Sequence, residues 1–134
     1  MARIALSGTL LTTLCAAPPL AAQVPPGAAE RQRYTGLLAA AALGDTAQIR
    51  ALLARGEKAD ARDNHGRTTL HVAAHAAQVE AMRALVAGGA DPNALENDRY
   101  DIVTIAAVAD NLPVLEAGLA LGCSARNTTS RYDG

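Results

Sequence analysis

The chain has 134 residues, 50% of them apolar and 19% charged, which is one domain's worth of sequence with the means to fold. Aromatic residues make up only 2%, as three Tyr without Trp or Phe, so there is little to build a stacking platform for single-stranded nucleic acid or a large cavity for an aromatic cofactor. Twelve basic and thirteen acidic residues leave a net charge of −1 with no basic stripe, and the electrostatic footprint of a nucleic-acid binder is missing.

Met1–Ala22 reads as an export signal. Arg3 supplies a one-charge start, 4–17 is apolar and uncharged, Pro18 and Pro19 break the run, and Leu20, Ala21 and Ala22 precede a cut before Gln23. The run is shorter than the about 20 apolar residues that a membrane-spanning helix needs. A lipid-attachment signal at Cys15 fits less well, because Leu14 is bulky where a small residue is wanted. Cleavage near Ala22 places the protein in the periplasm or outside the cell, with no stable membrane insertion. It also leaves Cys123 as the sole cysteine, so no internal disulfide is expected. Residues 23–33 combine Pro, Gly and charge without periodicity and read as a flexible lead-in.

From Tyr34 onward the chain repeats itself with a period of 33 residues. Gly56 to Ala61 falls on Gly89 to Ala94 without a gap, Asn64 on Asn97, Ala73 and Ala74 on Ala106 and Ala107, and Gly89 on Gly122. Within the middle unit, Asp63, Asn64, His65 and Gly66 form a turn signal, since Asp and Asn bond nearby backbone and Gly tolerates positive φ. A short helix follows over 68–75, with Thr68 placed to cap it. Ala76, Ala77 and Gln78 make a bend. A second helix then runs over 79–87, with Val79, Met82, Leu85 and Val86 on one face. Gly88 and Gly89 end it.

Gly66, Thr68, Leu70, His71 and Gly89, with the Gly89 to Ala94 segment, resemble the ankyrin repeat, with Thr69 where that family usually has Pro. The resemblance implies an all-α solenoid of helix-turn-helix units joined by β-hairpin-like loops. The units fall at about 34–62, 63–95 and 96–128, and an incomplete fourth opens at 129–134. The first unit has Leu38 where the family has His, as suits a capping unit, and the third replaces the Gly and Thr-x-Leu-His core with the stretch from Arg99 to Thr104. Exported bacterial ankyrin proteins have similar third units and run on through more repeats, so the chain is expected to be a fragment of a longer protein. The outer face of the third unit, with Leu112, Leu115 and Leu119, lacks a successor, and the chain is expected to be marginally stable or to self-associate.

No catalytic set, cofactor site or metal site is expected. His71 and His75 stand four apart on one helix, a zinc-compatible spacing, but no third ligand or Cys pair accompanies them. By the resemblance, His71 is the family's structural His, which bonds backbone across the repeat. Cys123 reads as a small packed residue, with a reactive thiol as the alternative. The implied activity is non-catalytic protein binding on hairpin tips and the concave helix face. The matching positions are Asn64, His65, Arg67 and His75 with Ala76, then Asn97, Asp98 and Tyr100 with Val108 and Ala109. Arg67 and Tyr100 stand out because Arg and Tyr are favoured at interface hot spots. Two alternatives stay open: a structural fragment without independent activity, and a metal- or redox-linked accessory using His71/His75 or Cys123.

Overall fold

The structure, a computed structural model, describes residues 24–127. The expected export signal and the opening of a fourth unit lie outside the described residues. Within them are seven helices and no strand: α1 (Ala28–Arg33), α2 (Gly36–Leu43), α3 (Thr46–Ala54), α4 (Thr69–His75), α5 (Val79–Ala87), α6 (Ile102–Val108) and α7 (Leu112–Ala120). Helices α2/α3, α4/α5 and α6/α7 form antiparallel pairs. The pairs stack so that α2, α4 and α6 make an inner row and α3, α5 and α7 an outer one. This is the all-α solenoid.

The period seen in the sequence is a period of backbone geometry. Thr35, Thr68 and Asp101 are the N-caps of the inner helices, and Asp45, Gln78 and Asn111 those of the outer ones. The bend inside each pair is left-handed at Gly44, Ala77 and Asp110. Gly56, Gly89 and Gly122 follow the outer helices at φ 93°, 102° and 102°. At the hairpin tip Gly66 has φ 70°, and a Cβ there would collide with Asn97 Oδ1. The third unit keeps the same turn with Arg99 in Gly66's place, at φ 68°.

The core shows how an alanine-rich chain packs. Ala40, Ala41, Ala73, Ala74, Ala81 and Ala106 let helix backbones come close, and Ile49, Met82, Leu85, Ile105 and Val114 fill the space between rows. Polar ties run along the stack at the hairpins. Asp60 Oδ1 accepts the Asp91 N–H at 3.2 Å, and Asn93 Oδ1 accepts the Ser124 N–H at 2.8 Å, one unit further on. Arg62 Nη1 donates to the carbonyl of Leu95 at 2.8 Å.

Two features bear on function. The lead-in expected to be flexible instead carries α1, and Pro26 before it is buried. Its hold on the body of the protein comes from side chains far along the chain, described below. At the other end, among the described residues, the last helix pair is more exposed than the middle one. Ala41 and Ala74 are buried but Ala107, the next in that column, is exposed, and Leu115 is half-buried where Ile49 and Met82 are fully buried. Leu112 and Leu119 are 62% and 42% exposed.

Gly89 tests the backbone argument cleanly, because a Cβ there meets nothing within 4 Å. Any cost of Gly89→Ala is the cost of φ 102° alone. The expected loss is about 1–3 kcal/mol, seen as a fall of several degrees in melting temperature. An unchanged melt would show that the unit does not depend on this turn.

Candidate functional site

The inner face is built outward from Thr68. Its extended backbone ends the hairpin, and its Oγ1 accepts the His71 N–H at 3.4 Å to cap α4. The His71 ring folds back, and its Nδ1 accepts the Thr68 N–H at 3.0 Å. An accepting Nδ1 leaves the proton on Nε2, which donates to the Tyr100 carbonyl of the next unit at 3.0 Å. His71 thus ties two units together. Burial pushes its pKa down to about 4, helped by Arg62 and opposed by the Tyr100 carbonyl and Asp101. His75, one turn on, is also driven down to about 4, first by burial and then by the charge of Arg67.

Arg67 is placed differently from the exposed contact expected of it. The residue is 1% exposed. Its Nε donates to Asp63 Oδ2 at 2.7 Å, Nη2 to Glu30 Oε1 at 2.7 Å, and Nη1 to the carbonyl of Val24 at 2.9 Å. Asp63 also accepts the Tyr34 hydroxyl at 2.7 Å and the backbone N–H groups of His65 and Arg67. Burial alone would raise the Asp63 pKa, but the bonds from Tyr34 and Arg67 hold it below the usual carboxylate range. Glu30 is lowered by the Gly27 N–H and by Arg67. A buried guanidinium is tolerable only when paired in this way.

The other positions read from the sequence divide into two groups. His65, Arg67, His75, Asp98 and Tyr100 line one cleft of about 40 Å³, with Val24 at its edge. Asn64 lies outside it, on a shallow depression shared with Tyr34, Leu38 and Arg62. Asn97 is exposed beside the tip, its N–H bonded to the His65 carbonyl at 3.0 Å. Val108 and Ala109 are exposed and Ala76 half-buried. Sequence reasoning missed Glu30, Tyr34 and Asp63 as parts of this site. One signal was available: Tyr34, Arg67 and Tyr100 stand 33 residues apart in a single column.

The arrangement leaves little room for the metal or redox alternatives. Both ring nitrogens of His71 are engaged. Among the described residues, Glu30, Asp63 and His65 bring ligand atoms within 4.8 Å of one another, but the Arg67 guanidinium already bridges the two carboxylates. Burial pushes the Cys123 thiol up to about 12, with the Asp101 carboxylate adding to the effect, so it stays protonated and unreactive. Asp101 itself is structural: it caps α6 through the Thr104 N–H at 2.8 Å and accepts Asn127 Nδ2 at 2.9 Å.

A family model described as ankyrin repeats (3 copies) matches the chain over residues 10–96 and 36–126, most of its length. No curated protein matches it.

The two depressed histidines carry a pH prediction. An unfolded His takes up its proton below about 6.5, whereas the folded His71 and His75 resist until about 4. Between these values the unfolded state binds more protons, so stability is lost as pH falls through the window. For the fully buried His71 the loss is on the order of 3 kcal/mol. Urea midpoints at pH 7, 5.5 and 4 should fall steadily, and His71→Asn should flatten much of the slope. A midpoint constant over that range would contradict the buried, neutral assignment.

Proposed function

We propose that this chain, which belongs to the ankyrin-repeat family, is an exported, non-catalytic scaffold that binds a protein partner on its inner face and hairpin tips. Ankyrin repeats are generally protein–protein interaction modules and typically non-catalytic. The observation that carries the reading is the convergence of His65, His75, Asp98 and Tyr100 on one cleft beside the exposed Asn97. These residues come from two units and three stretches of chain, so a rigid stack sets their spacing before any partner arrives. Tyr100 is the natural anchor: it is half-buried, with its N–H held by Glu96 Oε1 at 2.9 Å and its carbonyl by His71. The Tyr100 side chain packs against the core, so it gives up little rotamer freedom on binding. Arg67 is assigned to the floor of the site rather than to partner contact.

A photo-crosslinking residue at Asn97 should capture a protein partner in the native exported fraction, and one at Glu116, exposed on the outer row, should not. The captured chain should begin at Gln23 if Met1–Ala22 is the export signal. Equal capture from both positions would remove the inner-face reading.

A second reading concerns the end of the stack. The apolar surface of Leu112, Leu115 and Leu119 is the one that a following unit would cover, and it supports self-association or a place within a longer repeat array. In sedimentation velocity the chain should show a concentration-dependent increase in size that Leu119→Lys abolishes. Monomeric behaviour at all concentrations would end the self-association reading.

A further inference from the structure

The inner face of this stack is not empty. Val24, Pro25 and Pro26 run across it. Val24 borders the cleft with Arg67, His75 and Tyr100, and Pro25 and Pro26 border a second small gap with Val72, His75 and Ala76. Pro26 is buried. Arg67 fastens the segment to the stack by the Val24 carbonyl, Nη1 to O at 2.9 Å, while Arg31 of α1 bonds the Pro26 carbonyl at 2.7 Å within the segment itself. Glu30, on α1 just beyond, pairs with Arg67 Nη2 at 2.7 Å.

We propose that the groove running from Arg67 and Tyr100 past His75 to Val72 and Ala76 is a docking site for an extended, proline-containing peptide, and that Val24–Pro26 occupies it as an intramolecular strap which a partner must displace. The inference rests on reading the inner face as the binding surface, and deepens it by naming the partner's chemistry.

The match between groove and strap is chemical. A guanidinium only donates hydrogen bonds. Two successive prolines offer carbonyls and no N–H, and each residue preceding a proline is confined to extended conformations. Such a segment is already ordered before it docks, so it gives up little entropy and presents acceptors where Arg67 presents donors. The ring of His75 at the groove wall offers an apolar face to proline, as aromatic-lined grooves do for other proline-rich segments.

The strap is also built to come away. Val24 is 64% exposed, and α1 has no buried residue. The hold on the stack is concentrated in Pro26 and the Glu30–Arg67–Val24 contacts, while α2 to α7 pack on one another without it. Tethering gives the strap an effective concentration in the millimolar range, so an outside peptide of similar affinity is excluded until the strap is weakened or outcompeted.

The test uses the full chain and a fluorescein-labelled synthetic peptide of the Val24–Gln32 sequence, followed by anisotropy. The P26G/E30Q double variant, which loosens the strap, should bind the peptide at least about tenfold more tightly than the parent chain. The same peptide with both prolines replaced by glycine should lose that binding. Equal binding by parent and variant, or equal binding of the two peptides, would overturn the proposal. Hydrogen exchange on the parent chain decides the matter if the variant fails to fold. Amides of 28–33 should exchange through a local opening that leaves those of α4 protected, and a common rate for both segments would mean that the strap is an integral part of the fold. None of these failures touches the crosslinking result at Asn97, so the strap and the inner-face reading fall separately.

Discussion

A helix pair this short cannot bury its own apolar face, and that constraint shapes everything else in the molecule. Each inner helix has seven or eight residues and each outer one nine. Isolated helices of that length are marginal in water. Burial must come from the next pair, so every position in the unit has to recur at the same depth one period later. Alanine suits such a stack because it lets backbones approach and costs no side-chain entropy. The price is a thin core, offset by polar ties between units: His71 to the Tyr100 carbonyl, Arg62 to the Leu95 carbonyl, and the side chains of Asp60 and Asn93 to backbone N–H groups of the following hairpin.

The histidine tie has a consequence for protonation. Because Nδ1 of His71 accepts from Thr68, a proton there would turn an accepting nitrogen against a donor. The start of α4 and one of the ties between the second and third units therefore share one neutral ring. Helix start and unit stacking are coupled at a single residue, which makes the middle of the protein the part most sensitive to acid. The carboxylates Asp63 and Asp101 are held low by their own bonds and respond only at lower pH.

Local features of the fold were legible in the sequence, and long-range ones were not. The period of 33, the cap at Thr68, the bend at Ala77 and the glycine after each outer helix are set by residues close together in the chain. Even the third unit, which lacks the glycine, keeps its turn, with Arg99 at φ 68° where Gly66 has 70°. Arg67 and the lead-in are the opposite case. An arginine at a hairpin tip, read alone, belongs in solvent. Its burial requires Glu30, 37 residues earlier, and the Val24 carbonyl, 43 residues earlier. The lead-in has no apolar periodicity because α1 is held by charge and by Pro26 rather than by an apolar face. Neither half of that contact signals the other.

This coupling changes what the inner face is. In a bare stack Arg67 would be an exposed charge at the front of the groove, free to contact a partner. Here it is enclosed between two carboxylates and a carbonyl, and its charge is largely spent within the chain. The recognition surface left to solvent lacks that positive charge and keeps the carboxylates of Glu96 and Asp98 beside hydrogen-bonding and aromatic groups: His65, Asn97, Tyr100 and the neutral ring of His75. A partner that keeps the strap in place meets this surface with the Arg67 guanidinium already engaged. One that displaces Val24 gains a guanidinium donor in return, provided it brings a carbonyl of its own. Removing the strap's carbonyl leaves Nη1 of a partly buried cation without an acceptor, which is costly, so displacement favours ligands that mimic the strap and disfavours those that merely push it aside. Selectivity for extended, acceptor-rich peptides then follows from the same buried charge that holds the N-terminal segment down.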